Sequence, residues 1–510
     1  MVKMLLTDVK YLPLTLGMLL PAWLHTNAGG DNPALQPFLP DSSRSELRAG
    51  LTGIDAAGAL PVEEGTGHLL GSVSATSYQR LGRSISTAGD AGVSPTSTTV
   101  SGSASFSFGK IRDIRWNNSA DYDLVGPYVL GDSVGGDLQR KSYRFSGMYA
   151  GVRGPWSWGA DGSYRATIDY RDRDPRDKII VSDLHIGAGG SYLFSAIGYR
   201  LGANVRMRVY NQTADLTFYN PMNDIRTYAL TGLGSIYPRF SGNSSQNTAY
   251  SGIGWTGGAQ FLPAEKKRWD FSGEIHAAGI RISQVLRDFN NLTLTSTSNL
   301  NLGARFGIIR NLKDFSGGLR ISGEYRTKNG TENLFGASSG NNYEVIGKRD
   351  NYSRTDWRVT LELPLEWEIG AVNRLSFIPA ASMAGRSEKL HSPSRSLASE
   401  ATVYSLTGNW KRLLGRRSSM EIGLTGLYRS ARETERNLAG LNPASDLTDC
   451  LLRNFGLQTS DVTGLSADAS VEFPVGKGLS LSVEGNYRYR RYRSPGTSYN
   501  SFCLSAGLKF

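Results

Sequence analysis

Between Trp357 and Trp367 the chain alternates with a period of two for eleven residues. Trp357, Val359, Leu361, Leu363, Leu365 and Trp367 fall on one face, and Arg358, Thr360, Glu362, Pro364 and Glu366 on the other. A strand places successive side chains on opposite faces, so this pattern is a strand with one apolar and one wet surface. The pattern recurs from about residue 66 to the end. Tyr199, Leu201, Ala203, Val205, Met207 and Val209 oppose Arg200, Asn204, Arg206 and Arg208. Trp158 to Tyr170 and Leu479 to Tyr489 read the same way, the latter with Glu484, Asn486, Arg488 and Arg490 on its wet side.

Such segments exceed the five or six residues usual in soluble sheets. Ten residues, rising about 3.3 Å each and tilted near 40°, climb roughly 25 Å, the height of the lipid-facing band of a membrane barrel. Aromatic residues at strand ends match the girdles at the two interfaces. The expected fold class is therefore all-β, a transmembrane antiparallel β-barrel. Composition agrees: 60 glycines and 24 tyrosines in 510 residues, with hydrophobic residues at 39%. No run of about 20 apolar residues offers a membrane helix. The glycines follow no three-residue period, and two cysteines exclude a disulfide-built scaffold. The net charge of +11 comes from scattered residues of both signs, without the basic tail or stripe of a nucleic-acid binder.

Connections alternate in length. Short ones lie near 153–155, 195–196, 263–267, 311–314, 370–373, 414–417 and 476–478. Longer polar stretches lie at about 171–178, 212–246, 284–292, 327–352, 388–397, 432–460 and 493–500. Short periplasmic turns and long extracellular loops are the outer-membrane rule. Counting from 99–111 gives about sixteen strands. The weakly alternating 66–79, with part of 45–60, could add a pair, so the range is fourteen to eighteen.

The amino terminus reads as a secretory signal: Lys3 and Lys10, an apolar run from Tyr11 to Trp23, then small residues, with cleavage expected after Ala28. Residues 1–28 are thus a signal peptide, 29–65 a periplasmic or plug-like segment, and 66–510 the barrel. At the other end, Phe502, Leu504, Ala506, Leu508 and Phe510 share one face of a final strand ending in an aromatic residue. This looks like the signal read by the outer-membrane barrel-assembly machinery, since an unpaired edge is a template for strand addition.

Two segments, Gly131-Asp132-Ser133-Val134-Gly135-Gly136-Asp137 and Asp169-Tyr170-Arg171-Asp172-Arg173-Asp174-Pro175-Arg176, together with the strand layout, carry a resemblance. The chain resembles an uncharacterised family of Gram-negative, Bacteroidota-type outer-membrane β-barrels. The resemblance implies fold and location and no activity. Asn32-Pro33-Ala34 is also similar to a tripeptide near the start of long-chain fatty-acid transporter barrels, but three residues carry no mechanism across.

No sequence signature of a hydrolase, zinc protease or phosphate-binding loop is present, so the chain is expected to be no enzyme, with no catalytic residues, cofactor or metal. His276 beside Glu274 is the nearest approach to a dyad and reads as a lumen histidine. Gly187-Ala188-Gly189-Gly190 reads as close strand packing. The wet faces carry the candidate lumen charges Arg200, Arg206, Arg208, Arg358, Glu362, Glu366, Arg488 and Arg490. Mixed charge in such a wall either builds ion-pair ladders that fill the interior or lines a polar pore. Aromatic-rich loops around Trp116, Tyr122 and Tyr128, and around Tyr219, Tyr228 and Tyr237, could bind a ligand outside or fold in as a plug. Cys450 and Cys503 both fall at the outer end, where a disulfide could tie a loop over the mouth.

The functional expectation is a channel or facilitator for small polar or amphipathic solutes. The alternative is a non-conducting barrel that serves as an accessory or surface-binding subunit of a larger outer-membrane complex. Expected partners are outer-membrane lipid, the assembly machinery and other outer-membrane proteins, with no nucleic acid.

Overall fold

Every long alternating segment becomes a strand of one antiparallel sheet that closes on itself. The computed structural model describes residues 32–38, 44–57, 65–81, 96–220, 225–242, 246–340, 342–415, 418–494 and 496–510. The expected signal peptide, 1–28, lies outside the described residues. The last strand, Ser498–Lys509, pairs with Leu479–Tyr492 on one side and with Arg44–Ala57 on the other. Arg44–Ala57 in turn pairs with Gly67–Leu81, which completes the ring. The sheet has nineteen segments. Two of them, Asn342–Glu362 and Leu365–Ile369, are one strand interrupted at Pro364, which has no N–H to give to the ladder. The barrel therefore has eighteen strands.

The count lies at the top of the expected range, and the wall begins at residue 44 instead of 66. Arg44–Ala57 is hard to read because Gly53 interrupts the apolar face that carries Leu47 and Leu51, and Gly50 the opposite one. The ring of Phe502, across the ladder, occupies the space a side chain at Gly53 would take. The stretch 327–352, expected as a loop, is a hairpin instead. Phe315–Ser339 runs for 25 residues and returns through Asn342–Glu362. Register shifts between Gly330 and Thr331 and between Leu334 and Phe335 reset its alternation, which hides the strand from a strict period-two reading.

The outward face is apolar around the whole ring. Leu51, Val73, Phe145, Ile186, Val205, Ile253, Ile275, Leu302, Ile321, Val359, Met383, Leu406, Leu424, Leu465, Val483 and Leu504 are all exposed. Water-soluble surfaces do not carry a continuous apolar belt of this extent. Near the short turns stand Trp156, Trp269 and Trp367, and Trp367 packs beside Phe315 and Phe377 at centroid distances of 5.2 and 5.9 Å. Among the described residues no helix is long and apolar enough to cross a membrane. The barrel crosses with strands.

The buried apolar cores lie in a different place. They sit inside the long-loop end, where three connections turn inward.

Candidate functional site: a latched cap inside the barrel

The connection 115–135 enters the lumen and carries the single helical turn Tyr122–Val125. Its Leu130–Asp132 forms a small sheet with Thr227–Gly232 and Ser235–Ile236 of a second inward connection. The third, between Ser419–Asn437 and Val462–Gly476, carries the helix Asp446–Thr459, whose first turn is capped by the Ser445 hydroxyl. These segments pack on one another and on the wall in four clusters. Trp116, Val125, Val129 and Leu230 meet wall residues Ile179, Val181, Tyr210, Ala214, Tyr250 and Ile282. Tyr128, Leu233 and Phe455 meet Tyr352, Leu390 and Leu397. Leu130, Ala229 and Phe240 meet Leu286, Leu294 and Phe335. Leu457 meets Ala56, Val462, Tyr492 and Tyr499. The clusters reach strands nearly all the way round, so the mouth is filled across. Of the two fates open to the aromatic loops, Trp116 and Tyr228 take the inward one, 5.3 Å between ring centroids.

Charge fixes the cap as firmly as packing does. Asp121 accepts from both Arg165 Nη1 and Nη2, at 3.1 and 2.7 Å, and from the Tyr210 hydroxyl at 2.9 Å. Two residues on, Asp123 Oδ1 accepts from Arg354 Nη2 at 3.2 Å. Arg165 and Arg354 stand on strands Trp156–Tyr170 and Asn342–Glu362, the fifth and twelfth around the ring, so one short turn is held from well-separated walls. Lys328 Nζ donates to the carbonyls of Asp123 and Gly126, at 2.6 and 2.9 Å, and Asn299 Nδ2 to that of Leu124, at 3.1 Å. Burial pushes the Asp121 carboxyl up, but the Arg165 charge and the donors on it more than offset this, leaving it below the ordinary carboxylate value. Asp123 is likewise depressed: Arg354 and Lys328 outweigh its burial.

The other two inward segments are held through their carbonyls. Arg395 donates to Leu233 O at 3.0 Å and to Ala439 O at 3.1 Å. Arg429 donates to Leu457 O, Gln458 O and Ser460 O, at 2.6, 3.0 and 2.8 Å. That places a cation on the unsatisfied C-terminal carbonyls of the helix, where the helix dipole favours it.

At the root of the cap the two segments that carry the family resemblance meet. Arg171 lies buried between Asp132 and Asp177, 3.1 Å from each. Asp132 also accepts the Gly135 amide at 2.7 Å. Gly135 has φ 67°, a left-handed conformation that glycine adopts without strain, and a β-carbon there would strike the Ile114 carbonyl.

The short-turn end holds a second inward element, the 3₁₀ turn Pro33–Phe38. Asn32, fully buried, donates to Ala203 O at 3.1 Å and Gln260 Oε1 at 3.0 Å and accepts the Ala34 amide at 3.0 Å. Ser157 donates to Ala34 O at 2.7 Å. A niche of glycines makes room. A β-carbon at Gly159 would come within 2.8 Å of Pro33, one at Gly202 within 2.9 Å of Asn32 Nδ2, and one at Gly189 would overlap Asn32 Oδ1. At Gly189, then, the closest approach comes from this segment, with the Ala203 carbonyl of the neighbouring strand next at 3.2 Å.

The candidate lumen charges are distributed among several partners. Arg200 is buried against the N-terminal turn, its guanidinium 3.7 Å from the Phe38 ring centre and donating to Ser191. Arg206 pairs with Asp161 at 2.9 Å and Arg208 with Asp183 at 2.8 Å. Glu362 pairs with Arg320 and Glu366 with Arg374, both at 3.1 Å. Arg490 lies over the Tyr499 ring. Arg358 stands across the ladder from Glu324, and Arg488 between Ser466 and Ser501. These residues do not converge on one point. Sequence reading missed the latch: Asp121, Asp123, Lys328, Arg354 and Arg395. The acidic-aromatic run Asp121-Tyr122-Asp123 in a loop facing arginine-bearing strands was the available signal.

The disulfide that the sequence left open is not formed: Cys450 and Cys503 are both free thiols. Cys450 points into the cluster under helix Asp446–Thr459, where burial pushes its thiol up to about 11. Cys503 sits mid-wall, 3.6 Å from the Thr52 hydroxyl. His276 lies against Gly303, and Glu274 faces Arg305 at 3.9 Å, so the two do not form a dyad.

Solved structures to which the chain is similar include the ferric preacinetobactin receptor BauA of Acinetobacter baumannii, at 8% identity over 92% of this chain and 80% of that one, TM-score 0.38. The iron transporter FrpB of Neisseria meningitidis is 10% identical over 95% and 83%, TM-score 0.40. The copper transporter OprC is 6% identical over 92% and 82%, TM-score 0.42. Likeness this distant bears on neither mechanism nor solute, and the fold stands on the closed ladder itself. No curated protein matches the chain. Residues 33–510 match a family described as "Family of unknown function (DUF6850)", and the chain belongs to that family.

Proposed function

We propose that the protein is an outer-membrane transport barrel whose resting state is closed by its own loops. On this reading it is a gated facilitator for small polar or amphipathic solutes. The apolar outward belt, the aromatic residues by the short turns and the final strand support placement in a bilayer with short turns toward the periplasm. The observation that carries the reading is the latch on Asp121 and Asp123. Beside its apolar packing, the cap is tied to the wall by charge pairs and hydrogen bonds, contacts that exchange readily for water or solute.

The filled mouth also favours the second reading, a non-conducting accessory subunit, and conductance separates the two. In planar bilayers the purified full-length protein should show rare, brief openings that become frequent when the latch is weakened. Silence under both conditions would leave the accessory reading standing.

A further inference from the structure

Asp121 and Asp123 occupy cationic positions on the wall much as a bound ligand would. Arg165 presents both terminal nitrogens to the Asp121 carboxylate, and Tyr210 adds a hydroxyl to the same oxygen pair. A guanidinium fork with a third donor recognises any planar carboxylate, tethered or free. On the far wall Arg354 meets Asp123, with Lys328 on its carbonyl. Arg354 itself shares Asp356 with Arg386, at 2.8 and 2.5 Å, so one wall carboxylate serves two guanidinium groups there. Near Arg165, Asp169 serves Arg140, and Asp183 is shared by Arg208 and Arg165 itself, at 2.8 and 3.1 Å, so without Asp121 two wall carboxylates stand against three guanidinium groups. Withdrawing the cap would therefore uncover positive charge on both walls, within a lumen where screening is weaker than in bulk water.

We infer that the carboxylates of Asp121 and Asp123 are built-in stand-ins for the solute, and that the barrel opens to small carboxylate-bearing anions that replace them on Arg165 and Arg354. The inference rests on the gated-facilitator reading and adds the solute class to it. Each arriving carboxylate takes over the hydrogen bonds that the cap gives up, so release of the cap leaves no buried cation bare.

The test is open probability in planar bilayers for the full-length protein, in sodium succinate against sodium chloride at equal ionic strength, so that screening is the same. Succinate should raise the open probability of the unmodified protein at least about tenfold, the equivalent of about 1.4 kcal/mol in the closed–open balance. The double variant Asp121→Asn, Asp123→Asn should be open in both salts and lose the succinate dependence. If the double variant opens while the unmodified protein responds equally to both salts, the gate survives and the solute assignment is overturned. If neither protein opens in either salt, the gate falls as well. The comparison on the unmodified protein does not depend on how the variant folds.

Discussion

Arg165 grips Asp121 through two parallel nitrogen–oxygen contacts, 3.1 and 2.7 Å, between a wall strand and a loop inside the lumen. A charged hydrogen bond of this kind contributes about 1.5–3 kcal/mol. Replacing Asp121 and Asp123 with asparagine keeps shape while removing both charges. The barrel wall, which makes none of these contacts along its ladder, should keep its stability. The cap should loosen, and limited proteolysis within 115–135 should speed up by about a factor of ten or more. An unchanged cleavage rate would show that packing alone holds the cap.

Acid should release the latch, and the sign follows from the shifts. Both carboxyls lie below their ordinary value because wall cations outweigh their burial. Their contribution is therefore complete above the unfolded value, about pH 4, and is lost as pH falls through the depressed folded values. Cap proteolysis and conductance should be flat from pH 5 to 8 and rise only below about 4. A rise centred near pH 6 would point to a different group.

Arg429 should matter more to the helix Asp446–Thr459 than to the strand that carries it. Arg429→Met keeps the aliphatic stem and removes the donors to Leu457, Gln458 and Ser460. Leaving those carbonyls unpaired should cost about 1–3 kcal/mol locally. Hydrogen exchange should accelerate across residues 446–460 while the strand Ser419–Asn437 stays protected.

The N-terminal turn makes a separable claim. Asn32→Ala removes four hydrogen bonds in a fully buried niche, and Gly189→Val fills the niche directly. Either change should expel residues 32–38 from the lumen, increasing their protease cleavage without altering cleavage in 115–135. Joint release of both regions would mean that plug and cap are coupled.

Where one rule governed a segment, sequence sufficed. Strict alternation around Trp357 and Tyr199 located strands and their faces, because one side meets lipid and the other a polar lumen. Arg44–Ala57 escaped because Gly53, on its apolar face, makes room for Phe502, a residue more than 400 positions away. The hairpin above Gly330 escaped because bulges shift the phase. The wet-face arginines were found, but their roles depend on what descends toward them. Arg206 and Arg208 stiffen the wall, whereas Arg165 and Arg429 hold loops. Nothing local to an alternating strand distinguishes the two. The Cys450–Cys503 pairing failed for a related reason: a loop read as extended folds into a helix that turns its thiol into the core.

Fixing the cap to the wall tests the central claim most directly. Leu124 and Asn299 meet through a 3.1 Å hydrogen bond, so cysteines at these positions, in a Cys450→Ser, Cys503→Ser background, can be bridged by a short reducible cross-linker. Single-channel recordings of the bridged protein should be silent under conditions that open the unbridged one, and reduction should restore the openings. Equal conductance before and after reduction would show that solute does not pass where the cap stands, and would contradict the account.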